Sequence, residues 1–250
     1  MTRQAPRWWA WLATGLACAV VASTTALSAE PAAAEFRPYT ARYQVSYRGL
    51  NGGEIEARFG RGKEPDQWQY ETHAFPSLLG RLAVSTEARE LGRMLITRTG
   101  VRPLSFDFED GSDDGAKDVH LAYDWAGGKA TGTAKGKPVD LELLPGTQDT
   151  ASVQAAMIVE LLAGRRPQAF RLITGNRVHD YRYWSEGMQR VRTPFGQFDA
   201  EVWASQRSGS DRVSKMWHAP ALGYVPVQAI QYRKGKAEVE MKLVKLRRSE

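Results

Sequence analysis

The stretch YTARYQVSYRGLNGGEIEARF, residues 39–59, alternates apolar and polar side chains on both sides of a glycine-rich centre. Apolar residues at every second position are typical of a strand with one buried face. The centre, GLNGGE (49–54), predicts a turn, because glycine adopts the positive φ that tight hairpins require. The stretch therefore predicts two antiparallel strands joined by a hairpin.

The same alternation recurs through most of the chain, for example in VHLAYDW (119–125), FDAEVWASQR (198–207) and AEVEMKLVKL (237–246). Short alternating segments separated by glycine- and proline-containing turns predict roughly a dozen strands in a mainly antiparallel arrangement. The fold class that follows is mainly β: an antiparallel twisted sheet forming an open barrel or a two-lobed clam, with one central helix packed against it.

One segment, PGTQDTASVQAAMIVELLAGRRP (145–167), spaces its apolar residues as a helix does. Thr147 or Asp149 is a suitable cap for its start, and Gly164 is suited to its end. The sequence predicts a helix at about 148–163.

The first 34 residues have the layout of a secretory signal peptide. Arg3 and Arg7 precede an uncharged apolar run at 8–23, and small residues follow. This order predicts export, with cleavage near 28–34. The mature chain, 35–250, is expected to form a single β-rich domain, or two lobes joined by the helix, and to work in the periplasm without spanning a membrane.

Composition narrows the possible chemistry. Cys18 is the only cysteine and lies in the predicted signal peptide, which excludes disulfides and thiol catalysis from the mature chain. Counted from Glu30, the chain lacks Arg3 and Arg7 but keeps every acidic residue, so its formal net charge falls from +6 to +4. An exported protein of such modest charge is not expected to bind nucleic acid.

No motif predicts catalysis, a metal or a cofactor. The four histidines do not stand at metal-ligand spacing, and no G-x-S-x-G elbow is present. The four histidines are His73, His120, His179 and His218. The loop DGSDDG (110–115) begins like a calcium loop, but the position that requires glutamate is Leu121, so a polar hairpin fits it better.

His218 lies in MWHAPALGYVPV (216–227), where proline and glycine punctuate an aromatic run. Pro220 and Gly223 predict a turn between two strands. We therefore interpret His218 as a structural residue at the end of a strand.

Aromatic residues recur on separate predicted strands. They fill a core in most sheets, but in a curved, incompletely closed sheet they line a cavity that holds an apolar group. Both interpretations stay open at this point. The residues predicted to line such a cavity are Trp68, Tyr70, Tyr123, Trp125, Tyr183, Trp203 and Trp217.

Several motifs together resemble the domain-of-unknown-function family 3108 (DUF3108). They are YTARYQVSYRGLNGGEIEARF, GVRPLSFDFED, VHLAYDW, LLPGTQDTASVQ, TPFGQFDAEVW and MWHAPALGYVPVQAIQY, in the family's order over about residues 37–245. The resemblance implies an exported, β-rich protein of the kind found mostly in Gram-negative bacteria. It implies no catalytic residues, because the family has no established activity. The expected fold is also similar in shape to the open-barrel lipoprotein carriers, but this is an analogy of fold and does not determine function.

Three functions are compatible with these observations. The first is a non-enzymatic periplasmic protein that binds an apolar or amphiphilic envelope component, with basic residues meeting an anionic head group. The second is a protein–protein interaction module in envelope or polysaccharide assembly. The third, a hydrolase, requires two histidines, or a histidine and a carboxylate, to meet in a cleft.

Overall fold

The alternation in residues 39–59 corresponds to two antiparallel strands, β1 (Tyr39–Tyr47) and β2 (Leu50–Arg61). Their register places Tyr39 opposite Phe59 and Ala41 opposite Ala57, and all four side chains are buried. One face of the hairpin therefore contributes to the core.

The computed structural model describes residues 36–64, 66–78, 80–82, 85–97 and 99–248. The predicted signal peptide at 1–34, with Cys18, lies outside these residues. After β1 and β2 the strands of the first half are β3 (Gln67–Pro76), β4 (Arg89–Thr97), β5 (Gly100–Glu109), β6 (Val119–Asp124), β7 (Lys129–Ala134) and β8 (Lys137–Glu142). The second half contains β9 (Thr147–Gln148), α1 (Ser152–Leu162), β10 (Ala169–Thr174), β11 (Arg177–Thr193), β12 (Gly196–Arg207), β13 (Arg212–Ala219), β14 (Val225–Arg233) and β15 (Lys236–Arg248). Short 3₁₀ turns occupy Gly80–Leu82 and Pro220–Leu222.

All fifteen strands form one sheet, in the order β8-β7-β6-β5-β4-β3-β2-β1-β15-β14-β13-β12-β11-β10-β9. Neighbouring strands are antiparallel except for β9 and β10, which are parallel. The two edge strands, β8 and β9, are not paired with each other, so the sheet is open. The predicted fold class, a mainly β protein with an antiparallel open sheet and one helix, is confirmed.

The helix α1 is shorter than predicted, because Thr147 and Gln148 pair with β10 instead of joining it. Its first turn is capped by Asp149, whose Oδ1 accepts hydrogen bonds from the backbone N–H groups of Ala151 (3.0 Å) and Ser152 (2.7 Å). The helix ends before Gly164, whose φ of +68° is the left-handed conformation expected after a helix. Of the two predicted caps, Asp149 is correct and Thr147 is wrong, because Thr147 lies in β9. The predicted ending residue is correct, and the predicted start at 148 is wrong.

Three contacts fix the start of α1 against the first half of the sheet. Gln148 donates from Nε2 to the carbonyl oxygen of Val101 in β5 (2.9 Å), and Thr150 donates from Oγ1 to Glu90 in β4 (3.0 Å). At Gly92 in β4, a Cβ atom would lie 2.4 Å from the Cβ of Ala151. The absence of a side chain at Gly92 therefore lets the helix approach the sheet closely.

Within the described part of the chain no helix is long and apolar enough to span a membrane.

Candidate binding cavity

A cavity lies between α1 and the face of the sheet formed by β11 to β15. The strand register determines which side chains form the floor of the cavity, because paired residues on neighbouring strands lie side by side on one face of the sheet. One cross-strand row of the floor consists of Tyr183, Ser205, Ser214, Gln231 and Val239. The next row consists of Trp203, Met216, Ala229 and Met241.

The roof of the cavity is one stripe of the helical segment. Thr150, Val153, Gln154 and Met157 all line the cavity. Residues three, four and seven positions apart share one face of a helix. The sequence of this segment therefore supplies both the docking contacts at its start and a mainly apolar surface toward the floor.

The cavity has a volume of about 340 Å³, which falls at the lower end of the range of about 300–1,000 Å³ usual for small-molecule sites. The exposed surface of its lining is mostly apolar, with polar groups from residues such as Ser205, Ser214 and Gln231 and from the charged Lys215. A half-open cavity with a mostly apolar surface suits a hydrophobic ligand.

His218 lines one end of this cavity. It is the next-to-last residue of β13, before the Pro220–Leu222 turn, as the sequence predicted. Its Nδ1 donates to the carbonyl oxygen of Tyr224 (2.9 Å), and its buried Nε2 has no hydrogen-bond partner among the described residues. Burial lowers the pKa of His218 to about 4, so the imidazole is neutral at pH 7.

Of the seven aromatic residues that the sequence singled out, Tyr183 and Trp203 line this cavity. Trp203 is buried and packs with Met157 and Leu161 of the helix. Trp217 does not join them, because it pairs with Val202 and so lies on the other face of the sheet, where its Nε1 donates to Gln189 (3.2 Å).

The other four predicted aromatic residues lie in the first half of the sheet. Trp68 and Tyr70 belong to the large core cluster, in which Tyr70 packs on Phe59 with ring centroids 4.6 Å apart. Tyr123 and Trp125 pack in a second cluster, and Trp125 donates from Nε1 to the carbonyl oxygen of Pro103 (2.7 Å).

Sequence reasoning did not select the methionines and small residues of the floor. Met216, Ala229 and Met241 stand at alternating positions in their strands, as many core residues do. The one sequence feature that pointed to the cavity was the apolar stripe of the helix, which includes Met157. Aromatic content alone therefore did not mark the cavity.

Two acids, the half-buried Glu90 and the fully buried Asp149, lie near the start of the helix, beside the roof of the cavity. The pKa of Glu90 is raised to about 7, first by burial and to a smaller extent by the nearby Asp149 carboxylate, while the hydrogen bond from Thr150 acts in the opposite direction. Burial also raises the pKa of Asp149, although the hydrogen bonds that its carboxylate accepts from backbone N–H groups lower this pKa. Glu90 is thus partly protonated near neutral pH.

A second, polar cleft lies on strands β3 to β6 and contains Glu71, Arg93, Asp107 and His120. His120 Nδ1 is 3.0 Å from Asp107 Oδ1, so a histidine and a carboxylate do meet here. The side chain of His120 is 48% exposed and that of Asp107 is 34% exposed, and Arg93 also contacts Asp107. None of the described histidines is hydrogen-bonded to a serine or threonine hydroxyl, which is the contact that activates a hydroxyl nucleophile.

The family model described as "Protein of unknown function (DUF3108)" matches residues 42–242. The chain belongs to the DUF3108 family. The resemblance inferred from its motifs is therefore confirmed. Among curated proteins none matches this DUF3108 chain.

Several solved structures match this DUF3108 chain at low sequence identity. A β-barrel-like DUF1849 protein from Brucella abortus is 16% identical, with a TM-score of 0.55 over 86% of this chain and 99% of its own. A predicted exported protein from Bacteroides fragilis with a YmcC-like fold is 9% identical, with a TM-score of 0.34 over 85% and 97%. A predicted lipoprotein from Parabacteroides distasonis is 9% identical, with a TM-score of 0.32 over 85% and 96%. The first of these matches supports the β-barrel-like fold.

Proposed function

We propose that this DUF3108 protein binds the apolar part of a hydrophobic or amphiphilic envelope component in the cavity, without catalysing a reaction. The cavity between α1 and β11–β15 is the observation that carries the proposal. Burial of apolar surface contributes roughly 25 cal/mol per Å², so a ligand of matching shape gains affinity from the lining side chains. The isolated hydroxyl and amide groups of the lining orient such a ligand.

The proposal includes the cellular setting. Residues 1–34 act as an export signal that is cleaved near 28–34, and residues 35–250 work in the periplasm as one β-rich domain. Its support is the charge and apolar pattern of the N-terminus.

Ala229 stands in the middle of the floor, between Met216 and Met241. Ala229→Trp is expected to fill the cavity and to weaken binding of the neutral fluorescent probe N-phenyl-1-naphthylamine at least tenfold, about 1.4 kcal/mol. Fluorescence titration of purified mature protein measures the effect.

The matched control is Ala169→Trp, which places the same side chain at an exposed position in β10. It is expected to leave the affinity unchanged, and circular dichroism checks that both variants are folded. Equal affinities for Ala229→Trp and the wild type would refute the assignment of the cavity, as would a wild-type protein without saturable probe binding. Native mass spectrometry of protein purified without detergent then identifies the class of any retained passenger.

A different observation favours a protein–protein interaction module as the second candidate. Leu50 and Leu78 are 61% and 84% exposed. The chain segments that carry them are in contact, because Ser77 donates from its N–H to the carbonyl oxygen of Gly52 (3.0 Å) and from its Oγ to the carbonyl oxygen of Asn51 (2.7 Å). An exposed apolar patch of this kind is typical of an interaction site.

This second function predicts that a photo-crosslinking residue at position 78 captures one defined envelope protein in cells. The same residue at exposed position 169 is expected to capture none. Equal labelling at both positions would exclude a specific docking site at Leu78.

A further inference from the structure

Beyond the floor of the cavity, a row of three arginines lies near the ends of β12, β13 and β14. Arg207 follows Ser205 by two residues, Arg212 precedes Ser214 by two, and Arg233 follows Gln231 by two. Strand residues two apart lie on the same face, so these arginines stand on the face that forms the floor. Arg212 and Arg233 are direct cross-strand partners.

Within the described residues this arginine row has no direct ion-pair partner, although the carboxylate of Glu238 lies close enough for the charges of Arg212 and Arg233 to act on it. Among the described residues, none of the three guanidinium groups makes a salt bridge or a side-chain hydrogen bond. The buried carboxylate of Glu238 lies nearby, but it already accepts a hydrogen bond from Arg48 at 2.7 Å. That bond first, and then the charges of Arg48, Arg233 and Arg212, lower the pKa of Glu238.

Like charges that face each other across two strands destabilise a sheet. The same concentration of positive charge stabilises a bound anion. Guanidinium groups bind carboxylate and phosphate oxygens through paired hydrogen bonds. The arginine row therefore has the chemistry of an anion site, placed directly beside an apolar cavity.

We propose that Arg207, Arg212 and Arg233 bind the anionic head group, a phosphate or a carboxylate, of an amphiphile whose apolar chain occupies the cavity. This inference rests on the proposed function and names its ligand class. The head group supplies the negative charge that pairs with the three guanidinium groups. The apolar chain of the amphiphile lies over Ser205, Ser214 and the cavity residues beyond them.

Two probes with the same chain test the proposal: decyl phosphate, which is anionic, and decyl glucoside, which is neutral. Isothermal titration calorimetry of the mature protein is run with each probe below its micellar concentration. The double variant Arg212→Gln/Arg233→Gln is expected to weaken decyl phosphate binding at least tenfold and to change decyl glucoside binding less than twofold. Raising the salt concentration is expected to reduce the difference between the two probes.

Arg192→Gln is the matched control, because it removes one exposed positive charge at the opposite end of β11. It is expected to leave both affinities unchanged. Equal weakening of both probes by the double variant would overturn the head-group site, and so would an unchanged affinity for decyl phosphate. Inorganic phosphate that binds as tightly as decyl phosphate would also overturn it, since the row would then serve a free anion.

Failure of the proposed function has a different signature. In that case neither probe binds the wild type, or both bind Ala229→Trp as well as they bind the wild type. Loss of decyl phosphate binding in both Ala229→Trp and the arginine variant, with decyl glucoside lost only in Ala229→Trp, supports both levels of the inference.

Discussion

Asp149→Ala is expected to lower the free energy of unfolding by about 3 kcal/mol. The carboxylate of Asp149 is 1% exposed and accepts from the N–H groups of Ala151 and Ser152, which are fully buried. Each buried donor left without an acceptor costs about 1–3 kcal/mol. Urea denaturation followed by circular dichroism measures the loss.

Asp149→Asn separates the hydrogen bonds from the charge. The amide oxygen of asparagine retains an acceptor for the two N–H groups, and it avoids burial of a carboxylate whose pKa is already raised. We expect this variant to lose less than half of what Asp149→Ala loses at pH 8. Equal losses would show that the capping contacts do not stabilise the start of the helix, and that the roof of the cavity is held by packing alone.

Acidification from pH 7 to pH 4 is expected to reduce the contribution of His218 to stability by up to about 3 kcal/mol. The pKa of His218 in the folded protein is about 4, lowered by burial from the ordinary value of 6.5. Between these values the unfolded chain binds a proton that the folded chain does not. The stability associated with the neutral imidazole is therefore complete above pH 6.5 and is lost as the pH falls toward 4.

His218→Gln provides the measurement, because glutamine does not titrate. The difference in unfolding free energy between the wild type and this variant is expected to shrink as the pH falls from 7 to 4. Taking the difference removes the contribution of the other groups, notably Glu90, which acts in the opposite direction. The pKa of Glu90 is raised from 4.5 to about 7, so the folded state holds an extra proton between these values and loses stability as the pH rises. A difference that stays constant with pH would show that His218 is not buried as a neutral side chain.

Local sequence patterns predicted most of the secondary structure. The alternation of Tyr39, Ala41 and Tyr43 became a strand face, and the turn at Pro220 lies between two strands as expected. The start of the helix was misplaced because Thr147 and Gln148 are held by β10, which lies more than twenty residues further along the chain. A local pattern contains no information about such a pairing.

The sequence by itself determined a mainly β chain with one helix and an N-terminus that resembles an export signal. These features follow from neighbouring residues: the period-two alternation, the turn residues and the apolar stripe of one helix. Only the tertiary structure decided which side chains line the cavity. Trp203 and Trp217 are equally aromatic and lie on paired strands, yet the register places Trp203 beside Met216 under the helix and Trp217 on the opposite face. Register shifts between Ser185 and Met188, between Trp217 and His218, and between Gln231 and Tyr232 complete this arrangement. A shift of one residue moves every following side chain to the other face of the sheet, and hydrogen bonds between distant strands set that shift.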